Sequence, residues 1–372
     1  MKINAIKRVP KYQQVIDSLQ TAIFNGKYKP GAKIPSESVL VKQFDTSRIT
    51  VGRALRELRQ KGLVERRAGS GTYVSPSRVL ERSWLFGLLI PDIGETEIFE
   101  PICQGMVRAS TPKPYALLRG NTAVTTLTKA EQAWQLCNQY IDRGASGVFF
   151  APLELTPEKD ETNQQILAAL EAAGIPVILL DRGVLRYPGP SSHDVVSVDH
   201  RRAGHLATEH LLELGCKRIG FVGHPNSAST VEARIAGYRE ALFAHRARVD
   251  DGLVRYLDPS DAAGVSEMMR KAKPEAFVCA NDRTAGRLMH TLIAQGYNIP
   301  GQVRLVGIDD VRYASLLPVP LTTVHQPCLE IGEVAMAAML ERMTHPQLPP
   351  REILLDCRLV VRESCGSRQG NG

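Results

Sequence analysis

Four arginines fall within one twelve-residue stretch: Arg48, Arg53, Arg56 and Arg59. A guanidinium offers a rigid fork of donors that matches guanine O6 and N7, while Thr, Lys and backbone N–H groups hold phosphates. A second polar set stands at the ends of apolar runs further along: Asp181-Arg182, Asn281-Asp282 and Asp309-Asp310, with Arg234 on a helical segment after Gly223. Carboxylates and Arg presented this way suit bidentate hydrogen bonding to sugar hydroxyls or another small polar ligand. Asn281 or Asp282 can equally cap the helix it begins.

Motifs for covalent chemistry are missing. There is no G-x-G-x-x-G after the first strand of the body, no G-x-x-x-x-G-K-[ST] and no G-x-S-x-G. His200, His205 and His210 are spaced by five, spiral around a helix, and read as surface or interface histidines rather than metal ligands. The seven cysteines include no C-x-x-C pair, so neither a disulfide framework nor a zinc knuckle is expected. No cofactor or metal is expected. With no secretory h-region and no run approaching the ~20 apolar residues of a membrane span, a cytoplasmic protein without a membrane partner is expected.

The charge is segregated. Residues 1–82 carry 17 basic and 6 acidic side chains, net +11, whereas the rest carries 29 and 33, net −4. A basic head on a mildly acidic body points to a polyanion at the head. A solvated basic face is the bland reading of the same charge.

Periodicity places these residues. Tyr12, Ile16, Leu19, Ile23 and Phe24 form one apolar stripe, predicting a helix over Lys11–Asn25. Pro35-Ser36-Glu37 opens a short second helix, with Ser36 as cap. A third runs from Thr46 or Ser47 to about Lys61. Its Val51, Leu55 and Leu58 face inward, and Arg48, Gly52, Arg56 and Arg59 share the other side with Arg53 beside them. Two short strands flank the turn Ala68-Gly69-Ser70-Gly71. Three helices and a basic hairpin make a winged helix-turn-helix, whose third helix enters the major groove. Ser75 to Ser83 reads as a linker. Beyond it, about nine strand-like runs alternate with helix-length segments, which predicts parallel sheets in two lobes with ligands at the carboxyl ends of the strands.

Tyr28-x-Pro30-Gly31-x-x-Ile34-Pro35-Ser36-Glu37, Ser47-Arg48-x-Thr50-Val51, Ala54-Leu55-x-x-Leu58 and Gly69-x-Gly71-Thr72-Tyr73-Val74 resemble the GntR-family DNA-binding domain along its length. The resemblance implies that Arg48 reads bases. It places Ser36, Glu37, Ser47 and Thr50 at or near the DNA backbone, and Gly69 at the wing tip. Where that family usually has Arg after the Thr-Val pair, this chain has Gly52; either Arg53 or Arg56 substitutes, or the operator differs.

Ile175-Pro176-Val177 with Leu180-Asp181-Arg182, Arg218-Ile219-Gly220-Phe221-Val222-Gly223, Arg234-x-x-Gly237-Tyr238, Ala280-Asn281-Asp282 and Leu321-Thr322-Thr323-Val324-x-Gln326-Pro327 resemble the LacI/GalR effector domain. This implies an α/β periplasmic-binding-protein-like type I domain with two Rossmann-like lobes, the first over roughly 84–193 and 325–348, the second over roughly 194–322 and 349–363. Effector contacts carry over to Phe99, Asp181, Arg182, Arg234, Asn281 and Asp309. A GntR-type head on such a body resembles the arabinose-repressor group.

The expected organisation is therefore a mainly α winged helix-turn-helix over 1–75, a linker over 76–83, a two-lobed effector-binding and dimerisation domain over 84–363, and a disordered tail over 364–372. The expected partners are double-stranded operator DNA, a sugar-like effector and a second copy of the chain. The expected function is a ligand-responsive transcriptional regulator and not an enzyme. Two other readings stay open: a constitutive DNA-binding protein with a vestigial cleft, and a pyridoxal-phosphate enzyme behind the same head, for which no segment offers the required lysine and Asp.

Overall fold

The computed structural model describes residues 10–24, 27–29, 31–60, 62–67, 70–75, 84–91, 97–120, 127–185 and 188–367. The linker 76–83 and the wing-tip Gly69 lie outside them. The chain divides into two compact units, one holding the head together with Trp84 and Thr111–Ala116, the other holding the rest of the body.

In the head, α1 (Lys11–Phe24), α2 (Glu37–Gln43) and α3 (Arg48–Gln60) precede a hairpin of β1 (Val64–Arg67) and β2 (Gly71–Val74). The antiparallel register pairs Val64 with Val74 and Arg67 with Gly71. Ile16, Leu19 and Ile23 of α1 meet Leu40 of α2, Val51, Ala54, Leu55 and Leu58 of α3, and Val64 and Val74 of the hairpin in one core. Of the stripe expected on α1, Ile16, Leu19 and Ile23 are buried and Tyr12 is half-buried against the core; a wing of two four-residue strands reaches this core through only its first and last residues.

The body runs β3 (Trp84–Leu89), α4 (Phe99–Arg108), β4 (Tyr115–Arg119), α5 (Lys129–Asp142), β5 (Gly147–Phe150), α6 (Lys159–Ala172), β6 (Val177–Leu180) and β7 (Asp194–Val198). It continues α7 (His200–Glu213), β8 (Ile219–Gly223), α8 (Ser229–Ala244), β9 (Val254–Tyr256), α9 (Ala262–Ala272), β10 (Ala276–Cys279), α10 (Asp282–Ala294) and β11 (Arg304–Asp309). Then come β12 (Thr322–His325), α11 (Cys328–Thr344), β13 (Glu352–Leu355) and β14 (Arg358–Val360). Two six-stranded sheets result, ordered β13-β7-β6-β5-β3-β4 and β14-β12-β11-β10-β8-β9. Strands β5, β6 and β10 are buried along their whole length, as continuous apolar strands covered on both faces must be.

The lobe boundaries differ from those the resemblance implied. Strand β7 pairs in parallel with β6, and β13 with β7, so 194–198 and 352–355 belong to the first lobe. The chain crosses between lobes at 199, at 326–327 and at 356–357. Sequence could not place these points, because a Val-rich strand is equally at home on either sheet. Of the tail expected over 364–372, residues 368–372 lie outside the described residues, and the first two residues belong to the body. Ser364 and Cys365 are fully buried, and Ser364 Oγ donates to Leu305 O at 2.6 Å while accepting from Thr322 N at 2.9 Å.

Each lobe contains one helix pair in backbone contact. In the first, a Cβ on Gly105 of α4 would lie 1.9 Å from Leu329 O of α11, and one on Gly332 would lie 1.9 Å from Ile102 O. In the second, a Cβ on Gly204 of α7 would lie 2.0 Å from Arg234 O of α8, and one on Gly237 would lie 1.8 Å from Arg201 O. Only glycine lets the helices approach this closely. The α7–α8 crossing is what brings His200 and Arg234 together.

Candidate functional site

The α3 helix shows a polar face. Ser47 Oγ accepts from Thr50 N at 3.2 Å and contacts Thr50 Oγ1 at 2.9 Å, so both residues are occupied in starting the helix. Ser36 starts α2 in the same way, accepting from Val39 N at 3.4 Å. Arg48 and Arg56 are exposed, and neither makes an ion pair or hydrogen bond with a described residue. Arg53 is engaged: its guanidinium lies 3.9 Å from the Tyr12 ring centroid and pairs with Glu57 at 3.2 Å. Glu37 faces Arg66 of the hairpin at 3.7 Å. Arg67 stacks on Tyr73 at 4.5 Å and pairs with Glu65 at 2.8 Å.

In the body, the carboxyl ends of the strands converge where the lobes meet. Asp181 follows β6, and Asp309 ends β11; both have positive φ, +67° and +130°, a backbone state that L-residues hold only where the surroundings impose it. Arg182 Nη1 lies 2.9 Å from Glu154 Oε1 and 3.3 Å from Asp181 Oδ2, and its guanidinium sits 5.7 Å from the Phe99 ring centroid. Arg234 donates to His200 Nδ1 at 3.1 Å, bonds Ala280 O, and stands 3.6 Å from Asp309 Oδ1. Gln326 Nε2 donates to Asp309 Oδ1 at 2.6 Å. Because His200 Nδ1 accepts, Nε2 carries the proton and faces Ser197 Oγ at 3.0 Å and Asp181 O at 3.1 Å.

The electrostatics follow from burial and neighbours. Burial alone would raise the Asp181 carboxyl; the His200 N–H and the guanidinium groups of Arg182 and Arg234 overturn that and hold it well below the usual range. Burial and the Arg234 charge keep His200 below the ordinary imidazole value, hence neutral. Burial pushes Asp309 well above the carboxylate range; Arg234 opposes this, and Asp282 and Asp181 add to it. Among the described residues of this network, Gln326 Oε1 is buried with no donor, and Asp181 Oδ1 has no contact closer than His200 Nε2 at 3.4 Å. Buried polar atoms are normally satisfied, so an added donor would be accommodated at both. Gln326 and Asp309 line a cavity of ≈ 460 Å³ with Glu97 and Tyr313, within the size range of small-molecule sites; Asp181, Arg182 and His200 line a separate one of ≈ 130 Å³.

The expected residues Phe99, Asp181, Arg182, Arg234 and Asp309 thus form one network. Asn281 stands at its edge: its Oδ1 accepts from Thr284 N at 2.8 Å, capping α10, and its neighbour Ala280 supplies the contact to Arg234. Three members were missed. His200 is buried rather than on the surface, because it is the first residue of α7 and lies under α8; a spacing count of three histidines cannot show this. Gln326 lies at a lobe crossing. Glu154 clasps the lobes, its Oε2 accepting from Ala228 N at 3.2 Å beside a second tie from Leu155 N to Asn226 O at 2.7 Å. Asp282, left open between ligand contact and cap by the sequence, accepts from Thr323 Oγ1 at 2.6 Å and Val311 N at 3.0 Å and is fully buried, while Asn281 is the cap.

Asp282 yields a pH signature. Burial pushes its carboxyl from 3.8 up to about 6, against those two hydrogen bonds. The folded state therefore keeps a proton that the unfolded chain releases. The resulting stabilisation is complete below the unfolded value and is lost as pH rises through about 6. Its size is on the order of 3 kcal/mol. Asp282→Asn cannot titrate, so the melting-temperature advantage of the wild type over this variant should shrink between pH 4.5 and pH 7; a constant difference would refute the assignment. His200, depressed, acts on both proteins alike and cancels in the difference.

Two family models match the chain: bacterial regulatory proteins of the gntR family over residues 11–74, and the periplasmic binding protein-like domain over residues 208–365. The arabinose metabolism transcriptional repressor of Geobacillus stearothermophilus is 29% identical over 370 residues, covering 96% of this chain and 98% of that protein. A transcription regulator GntR from Chromobacterium violaceum superimposes with a TM-score of 0.59 at 25% identity, over 76% of this chain and 99% of that one. A LacI family transcriptional regulator from Enterococcus faecium, with bound ribose, gives 0.58 at 24% identity over 75% and 98%. Among the described residues no helix is long and apolar enough to cross a membrane. The chain thus carries a gntR-type DNA-binding domain over residues 11–74 and a periplasmic binding protein-like domain over residues 208–365, within a body that has the fold of LacI-family regulator structures.

Proposed function

We propose that the protein is a ligand-responsive transcriptional regulator, a repressor whose operator affinity changes when a sugar or similar small polar effector fills the interlobe cleft. The observation that carries this reading is the buried network Glu154–Arg182–Asp181–His200–Arg234–Asp309–Gln326, which leaves Gln326 Oε1 without a donor and Asp181 Oδ1 with only a 3.4 Å contact to His200. A polyol supplies hydroxyl donors and acceptors in that arrangement. The similarity to an arabinose metabolism repressor supports a sugar, without naming which one. As a homodimer the protein would set two heads on half-sites ~34–36 Å apart. An effector that binds the open and closed lobes unequally would shift the DNA equilibrium by that difference.

The test is fluorescence anisotropy of a cognate duplex with the full-length protein, with and without each member of a panel of sugars and nucleosides. One or more members should change the affinity; no response across the panel would leave a DNA-binding protein whose cleft is idle. Arg48→Ala should weaken duplex binding by ~1–3 kcal/mol and relax sequence preference at one position. Unchanged affinity would remove Arg48 from the interface.

A further inference from the structure

We infer that Ile49 reads thymine methyl groups in the major groove. The inference rests on the head binding duplex DNA through α3. The buried stripe of α3 is Val51, Ala54, Leu55 and Leu58. With 3.6 residues per turn, the direction opposite that stripe is occupied by Ile49, and Arg56, two turns on, points almost the same way. Ile49 is the second residue of α3 and is 81% exposed. A branched apolar side chain at the outermost point of an otherwise charged face gains nothing in the free head, and it also has a lower helix propensity than Ala.

The surroundings say what it meets. Gly52 lies one turn further along, and a Cβ there would touch nothing within 4 Å. The outward face is therefore an isoleucine next to a gap, flanked by Arg48 and Arg56, which have no described partner. Residues in the first turn of a recognition helix are those that reach base edges. In the major groove the apolar feature of a base pair is the thymine 5-methyl. The arginines draw the helix against the phosphates and guanines, the glycine admits close approach, and Ile49 packs on a methyl that water would otherwise cover.

The experiment begins with a duplex selected by full-length protein from a random-sequence library. Each thymine is then replaced singly by deoxyuridine, which removes only the methyl. At one or two positions the replacement should weaken wild-type binding about fourfold, the worth of one buried methyl. In Ile49→Ala, which alters an exposed side chain, the same replacements should have no effect. The inference is overturned if no thymine is sensitive, or if the sensitivity persists in Ile49→Ala. Failure to select any duplex would overturn the DNA-binding reading itself, and this inference with it.

Discussion

Arg234→Ala should abolish the ligand response while leaving operator binding in the absence of ligand intact. Arg234 is 4% exposed, and its three partners belong to three different elements: His200 on α7, Ala280 after β10 and Asp309 at the end of β11. Truncation leaves Asp309 buried without its cation. Breaking a buried pair from one side typically costs about 3–5 kcal/mol. Here the cost should fall toward the lower figure, since Asp309 is already held far toward its neutral form. Adding Asp309→Asn to the variant should therefore restore part of the melting temperature without restoring the response. Denaturation with urea measures the first effect and anisotropy with the effective sugar the second. A variant that still responds would place the effector site elsewhere.

Gly237→Ala should be as damaging from a distance. Its Cβ would lie 1.8 Å from Arg201 O and 2.8 Å from His205 N, which are backbone atoms that no rotamer change can move aside. The α7 and α8 helices must separate, at a cost of about 3 kcal/mol or more. Arg234 lies one turn before Gly237 on α8, and His200 sits directly before Arg201 on α7, so the separation pulls apart the donor and acceptor of the 3.1 Å bond between them. Loss of the ligand response together with a lowered melting temperature is expected. Gly52→Ala is the control: its Cβ meets nothing, and removing a helical glycine should raise head stability by up to ~1 kcal/mol. Equal melting temperatures for Gly237→Ala and wild type would refute the close crossing.

Much of this was legible in the chain itself. The α1 stripe, the arginine-rich α3 and the charge split are local properties, and local periodicity reports them faithfully because each helix must bury one face. Polar residues directly after apolar strands marked the cleft for the same reason: a buried strand ends where the chain can again meet water or a ligand. The N-cap roles of Ser36, Ser47 and Asn281 could be anticipated from residue type, though a cap and a ligand contact look alike in a sequence.

What only the tertiary structure decided is which residues share an environment across long stretches of chain. His200 and Arg234 are 34 residues apart, and Glu154 and Ala228 are 74 apart. Neither pair carries any local signal, because it is created by two helices crossing on glycines or two lobes closing. The assignment of β7 and β13 to the first lobe likewise rested on pairing, since strand chemistry is degenerate between two parallel sheets. Sequence by itself determined the modules and the kinds of groups they present. Packing determined which of those groups meet, which are buried together, and therefore which carry shifted charges.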